Sequence, residues 1–422
     1  MQILRYGSSG SLVELLQLAL NRYGASLVID GVFGGATQRA VRAFQAANGL
    51  AADGVVGLRT HRALQPWYTG YRVHTIRPGD TLYRLAAQYG TTVRAVETAN
   101  PGIDPLSLRV GQRITMPYGF AVVPGSVRVS SALVDFCLQG LRARYPFLGV
   151  GEFGRSVLGR PLWRARVGTG GNVVYYNASH HANEWITTLL LLRFLEALCA
   201  AAAREGGSGG RGAAELLRTA TLYVAPAVNP DGIDLVTGAL SQDFGTRRLA
   251  EDYPDIPYPA GWKANIRGVD LNLQYPAGWA QAREIKFAQG YTTPGPRDFV
   301  GEGPLTAPES LALYRDTLSL DPRLILAYHT QGRVIYWNYN NLAPEESLPI
   351  ARQFAAVSGY TPELTPNESG HAGYKDWFIQ DFRRPGFTIE AGEGENPLPL
   401  SQLEPIWRDN LGILVLGMVV TK

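Results

Sequence analysis

The 422-residue chain is poor in lysine: of its 39 basic residues only Lys263, Lys286, Lys375 and Lys422 are lysine, and arginine supplies the rest. A bias this general reads as genome composition or heat adaptation rather than function. Cysteine is scarcer. Cys137 and Cys199 sit on helical patterns among apolar neighbours, without metal or redox spacing, so two buried free thiols are expected. Low-complexity tracts are absent, and so is a long apolar run. The stretch from Leu189 to Leu198 is interrupted by Arg193 and Glu196 and is too short to span a bilayer, so no membrane partner is expected. The opening Met1-Gln-Ile-Leu-Arg-Tyr-Gly has no charged-then-apolar leader; either the chain is not exported by the usual route or its signal lies outside this sequence. Strong charge of one sign is also missing. The net charge is +3, and residues 1–117 hold 12 Arg against 6 Asp and Glu, a net of +6, which leaves −3 for the remainder. Six dispersed positive charges suit an anionic surface and argue against a nucleic-acid groove.

What is present is ordinary globular composition, 45% hydrophobic and 18% charged, in a chain too long for one core, so two or three domains are expected. Residues 1–67 contain a repeat: Asp30-Gly-Val-Phe-Gly-Gly-Ala-Thr37 returns 23 positions later as Asp53-Gly-Val-Val-Gly-Leu-Arg-Thr60. Leu12, Leu15, Leu16 and Leu20 share one helical face, Ala40, Val41 and Phe44 another, and Gly49 is placed as a C-cap. With Phe44-Gln45 and Gly49-Leu50, the segment resembles the small three-helix peptidoglycan-binding domain of bacterial wall hydrolases.

Trp67-Tyr-Thr-Gly70 is a short joint. Residues 71–117 then read as strand, helix, helix, strand, with the helices at Thr81 to Tyr89 behind an N-cap at Asp80 and at Val93 to Ala99 behind Thr92. This order, with Gly79-Asp80-Thr81-Leu82, Asn100-Pro101 and Gly111-Gln112, resembles a LysM domain, which implies binding to N-acetylglucosamine-containing glycan. His74 is expected to be structural. Two such modules imply tethering to peptidoglycan glycan strands, with avidity from linkage. Tyr118 to Val127 reads as a linker.

Residues 128–422 alternate strands and helices. Asn172 to Tyr176 reads as a buried strand and Ile186 to Ala203 as a helix, so His180-His181-Ala-Asn-Glu184 lies on the turn between them. Open α/β sheets bind ligands at such strand ends. His181 and Glu184 can share one small cation; N/O ligands suit zinc, which needs a third protein ligand and an open position to be catalytic. His180 falls one residue too early. Leu324-Ile-Leu-Ala-Tyr-His329 is an apolar strand ending in a histidine, where a third ligand is required, and Phe387-Thr-Ile-Glu390 ends likewise in a carboxylate.

Together with Gly154-Arg-Ser156, Gly159-Arg-Pro-Leu162, Asn229-Pro-Asp-Gly232, Trp262 to Leu273 and Gly303 to Glu309, these stretches resemble the zinc carboxypeptidase family, the carboxypeptidase A-like enzymes, over nearly all of residues 128–422. The resemblance implies an α/β domain whose mixed, mostly parallel sheet is sandwiched by helices. It implies one Zn2+ on His181, Glu184 and His329, and Glu390 as the base that takes a proton from the attacking water and passes it to the leaving amine. Glu390 stands fourteen positions after Asp376-Trp377, as the family pattern requires; Glu393 and Glu395 fall off that register. The developing oxyanion needs a fixed cation, for which Arg267 is the first choice and Lys263 the alternative. Asp270 matches a position that hydrogen-bonds a ligand histidine, a role weighed against that of a plain turn residue.

Two departures shape the expected substrate. Family exopeptidases clamp a terminal carboxylate with an Asn-Arg pair, and here the pair reads Asn272-Leu273, which removes the bidentate contact. Lys375, at the position that sets leaving-group specificity, favours an anionic group such as the side-chain carboxylate of meso-diaminopimelate; the alternative is a surface lysine pairing with Asp376. The family's usual tyrosine is replaced in register by Glu368, leaving Tyr374 or His371 as stand-ins, with an exposed loop the equal alternative for His371. His329-Thr-Gln331-Gly332 and Glu390-Ala-Gly-Glu-Gly-Glu-Asn396 resemble the bacterial γ-D-glutamyl-diaminopimelate endopeptidases, with Asn272 and Gln331 among the substrate contacts. The expected activity is therefore hydrolysis of the γ-D-glutamyl–meso-diaminopimelate bond of stem peptides. It would take place in the bacterial cell wall or spore peptidoglycan, or from the cytoplasm or forespore. The alternatives are a zinc carboxypeptidase with relaxed end recognition and a non-catalytic cell-wall-binding protein.

Overall fold

A computed structural model describes residues 2–205 and 212–420. The N-terminal repeat is a repeat of hydrogen bonds. Helices α1 (Ser11–Tyr23), α2 (Gly35–Ala47) and α3 (Leu58–Thr69) pack together. Gln17 of α1 donates to Asp30 Oδ1 (2.7 Å), Val32 O and Thr37 Oγ1 and accepts from Gly31 N. Gln45 of α2 does the same to Asp53 Oδ1 (2.9 Å), Val55 O, Thr60 Oγ1 and Gly54 N. A buried amide must be satisfied, and each Gly-rich turn is shaped to satisfy one. Leu15, Leu16, Leu20, Val41 and Phe44 are buried as the apolar spacing requires.

Strands β1 (Tyr71–Thr75) and β2 (Arg113–Pro117) pair antiparallel around α4 (Leu82–Gln88) and α5 (Val93–Ala99). Thr92 caps α5, but α4 is capped by Thr81 and not by Asp80. Asp80 lies one residue too early and instead closes the preceding turn, accepting from Arg77 N and pairing with His74 Nε2, both at 2.8 Å. His74 is thus structural. Residues 118–127, expected as a linker, are packed: Val122 and Val127 are buried, and Glu196 accepts from the backbone N–H of Val122 (2.8 Å) and Val123 (2.9 Å).

The remaining chain forms an eight-stranded sheet in the order β3 (Gly149–Arg155), β4 (Pro161–Gly168), β6 (Ala220–Ala225), β5 (Asn172–Ala178), β7 (Leu324–His329), β10 (Gly386–Glu390), β8 (Val334–Tyr336), β9 (Thr361–Glu363). The four central strands run parallel. Side chains alternate between faces, and both faces are buried. Val174, Tyr176, Leu324, Leu326 and Tyr328 belong to one core, Tyr175, Ile325 and Ala327 to the other. Helix α6 (Ser131–Arg144) joins the first core, as does α7 (Ile186–Glu205). Residues 186–204 of α7 are long and apolar enough to cross a membrane, contrary to the expectation of too short a run, but 61% of the 18-residue window is buried inside the fold. Cys137 and Cys199 are buried free thiols.

Candidate active site

β5, β7 and β10 run side by side and end at the same rim. His329 and Glu390 are the last residues of β7 and β10 and are directly paired across the ladder. Beyond β5 a single 3-10 turn, Ala182–Glu184, precedes α7 and brings His181 and Glu184 to the same place. Three side chains converge. His181 Nδ1 lies 2.9 Å from Glu184 Oε1, His329 Nδ1 2.8 Å from Glu184 Oε2, and the two Nδ1 atoms 3.1 Å from each other. Two imidazole nitrogens facing one another beside a single carboxylate are an arrangement that a cation completes, and the donor set is one that zinc takes.

The surroundings fit. Asp270 accepts from His181 Nε2 (3.1 Å), which turns Nδ1 toward Glu184; its other oxygen accepts from Asp298 N (3.2 Å). Asp270 also caps the short turn Leu271–Leu273 through Asn272 N, so its two expected roles coexist. Burial pulls the His181 pKa down, but the Glu184 and Asp270 carboxylates hold it up at about 9. Burial works against an ionised Glu184, yet His181, Lys263 and His329 keep its carboxyl well below the ordinary range. Glu390 is half-buried, and burial raises its pKa. His180 points away, its Nε2 bonded to Tyr275 Oη at 3.1 Å.

Two cavities, of about 250 and 550 Å³, adjoin this cluster. The smaller holds Asn272, Leu273 and Lys375; the larger holds Gln331, Glu395 and Asn396. His181, Lys263, Arg297, Tyr336 and Glu390 line both. Lys375 is buried and lines the smaller cavity. Its Nζ donates to Asn338 O (2.8 Å) and to Asp376 Oδ1 (2.5 Å). It is therefore paired, as one reading had it, but it is not a surface residue.

Three expectations fail. Arg267 is exposed and lines neither cavity, the turn closed by Asn265 Oδ1 onto the Arg267 and Val269 N–H groups lying at its backbone; Lys263, 3.3 Å from Glu184 Oε1, is the cation that pairs with the cluster. Tyr374 is fully buried, its hydroxyl on Thr317 Oγ1 (2.8 Å) and its ring among Tyr275 and Trp377. His371 is neither a cleft residue nor exposed; it is buried beside Tyr339, with Nε2 3.4 Å from Asn367 Oδ1. The tyrosine that faces the cleft is Tyr336, at the end of β8, and it went unread in the sequence, as did Lys286, Arg297 and Asp298. A signal for one of them existed. All three described lysines, Lys263, Lys286 and Lys375, line the smaller cavity.

Comparison with known proteins agrees with this geometry. The zinc carboxypeptidase family model matches residues 135–412, a peptidoglycan binding domain residues 9–64 and a LysM domain residues 74–117. Over 397 residues the chain is 41% identical to gamma-D-glutamyl-L-diamino acid endopeptidase 1 of Lysinibacillus sphaericus, covering 81% of this chain and 98% of that one. It is 42% identical over 277 residues to the uncharacterized protein YqgT of Bacillus subtilis, covering 64% and 72% of the two chains. The solved structure of thrombin activatable fibrinolysis inhibitor matches with a TM-score of 0.56 at 16% identity, over 86% of this chain and 95% of that one, a likeness of fold. With the converging His181, Glu184 and His329, these matches make the chain a member of the zinc carboxypeptidase family, a zinc metallopeptidase that carries a peptidoglycan-binding domain and a LysM domain.

Proposed function

We propose that this metallopeptidase hydrolyses the γ-D-glutamyl–meso-diaminopimelate bond of peptidoglycan stem peptides while its N-terminal modules, residues 1–67 and 71–117, hold the wall glycan. One observation carries the reading. The buried Lys375 ammonium has three N–H groups, of which Asn338 O and Asp376 occupy two, and the third is left for an anionic group in the leaving-group cavity. The arginine that would clamp a terminal carboxylate is Leu273. The name of the 41% identical relative supports the same bond.

His181, Glu184 and His329 would hold the zinc, which when bound polarises the scissile carbonyl and brings the pKa of water to about 7. The chain's own groups do the rest. Lys375 anchors the distal carboxylate of the leaving diaminopimelate, and the Asn272 amide faces the same cavity. Glu390 takes the proton of the attacking water and returns it to the leaving amine; burial raises its pKa toward the working range of such a base. Lys263 holds a fixed positive charge where the oxyanion develops, and Asp270 keeps the His181 ring in place.

The test is mass spectrometry of the zinc-loaded protein acting on L-Ala-γ-D-Glu-meso-diaminopimelate, with and without a following D-Ala. Release of L-Ala-D-Glu from both is expected. Removal of D-Ala alone would make the protein a carboxypeptidase with relaxed end recognition. No cleavage with zinc bound would leave a wall-binding protein.

A further inference from the structure

Arg297 stands on the wall between the two cavities and belongs to no role assigned above. Its anchoring is specific. Arg297 Nε donates to Asp298 Oδ2 (2.5 Å), and the buried Lys286 holds Asp298 Oδ1 (2.7 Å). The Asp298 backbone, at φ 62°, sits in the left-handed region and donates its N–H to Asp270. One of the chain's four lysines is thus spent on fixing the carboxylate that fixes Arg297. Among the described residues no hydrogen bond or ion pair engages Arg297 Nη1 or Nη2, and its side chain is 42% exposed. A guanidinium held by Nε alone presents the pair of parallel N–H groups that matches a carboxylate.

The position selects which carboxylate. Lys375 lines only the smaller cavity, whereas Arg297 also lines the larger one, which takes the acyl side when Lys375 marks the leaving-group side. The other cation of that larger cavity, Lys263, is committed to Glu184. A γ-linked glutamyl group differs from an α-linked one in keeping its α-carboxylate free on the acyl side of the scissile bond. Resting on the γ-D-glutamyl reading above, we infer that Arg297 is the acyl-side specificity residue and binds this free α-carboxylate. The enzyme is then selective for unamidated stem peptides, reading one carboxylate with Lys375 and a second with Arg297.

Two tripeptides, L-Ala-γ-D-Glu-meso-diaminopimelate and its glutamyl α-carboxamide, separate the possibilities. The wild-type zinc enzyme should cut the carboxylate form with a kcat/KM roughly 10- to 100-fold higher, the range for losing a charge-assisted hydrogen bond. Arg297→Gln should bring the carboxylate-to-carboxamide ratio of kcat/KM close to one, and Arg297→Lys should restore part of the preference. Zinc content and near-UV circular dichroism equal to those of the wild type establish that each variant is folded. A wild type indifferent to amidation overturns the inference, as does an Arg297→Gln variant that slows both substrates equally, which would put Arg297 at the reacting centre instead. A wild type that cuts neither peptide sinks the γ-D-glutamyl reading itself, and this inference with it.

Discussion

The two wall-binding modules are joined to the peptidase in opposite ways. The core of the three-helix domain is continuous with that of the peptidase: Leu16, Phe44 and Leu64 belong to one cluster with Val122, Leu138 and the buried face of the catalytic sheet. Gly10 and Gly140 mark the closeness of that fit, since a Cβ at either would overlap the Gly238 or Thr69 carbonyl. Tyr68 stacks on Phe136 of α6 at 4.7 Å, Glu14 pairs with Arg128, and Ser11 meets Thr237. The LysM domain keeps a separate core of Ile76, Leu82, Leu85, Val96, Ile114 and Met116. Its outward contacts include Arg94 on the Ala203 carbonyl (2.9 Å) and the Tyr89 ring against Tyr118 (5.5 Å). It enters and leaves at one point, where Tyr118 N donates to Gly70 O. One module is therefore part of the peptidase body, and the other is an insertion into it.

The largest effect should come from deletion. Removing residues 1–69 strips one side of a shared core, and the remaining chain is expected to be insoluble or molten by near-UV circular dichroism. Joining Gly70 to Tyr118 without the LysM domain should change the Tm by less than about 4 °C, roughly 1 kcal/mol. That variant should keep its rate on soluble stem peptides and lose it on intact wall. If both deletions behave alike, the contrast between the modules is wrong.

Point changes sharpen it. Tyr68→Ala should cost about 3–5 kcal/mol, lowering the single main transition in calorimetry. Leu85→Ala, a change of about 2–5 kcal/mol, should instead split off a separate LysM transition and leave peptidase activity intact. Glu14→Gln weakens contacts with Arg128 N (2.7 Å) and its guanidinium and should lower the main transition by about 1–2 kcal/mol, measurable by urea titration.

The smallest expected effect is on acid stability. Hydrogen bonds from Gln17 depress the pKa of Asp30, those from Val55 N and Gln45 that of Asp53, and the His74 bond that of Asp80. Carboxylates depressed below 3.8 on folding stabilise the native state above that pH, and the gain is lost as pH falls through the folded value. Asp53→Asn should flatten the acid limb of the main transition, and Asp80→Asn only that of the LysM transition. A shared response would mean that the two cores are coupled.

Much of the site was legible because its parts lie at ends of elements. His181 and Glu184 are three residues apart on one turn, and His329 and Glu390 each close an apolar strand, so pattern and spacing made them candidates and the family resemblance supplied their roles. Residues 253–300 were harder. They contain little regular structure, and periodicity has nothing to say there about which side chain turns inward, so Arg267 was preferred over Lys263 and Arg297 was missed. Tyr374 failed for a different reason: it lies on the helix that carries Lys375, but one residue is about 100° of helix, and its ring enters the core while the lysine faces the cleft.

The sequence by itself, through its repeat, its motifs and the family resemblances they carry, determined the three modules and the α/β class and pointed to His181, Glu184 and His329 as the candidate metal ligands. Only the tertiary structure decided that the first module shares the peptidase core, that residues 118–127 are packed, and that Lys263, Lys286 and Lys375 converge on one cavity. These are meetings between residues far apart in the chain. Which distant surfaces meet is set by packing and by pairing of buried charges, and neither leaves a periodic trace in the sequence.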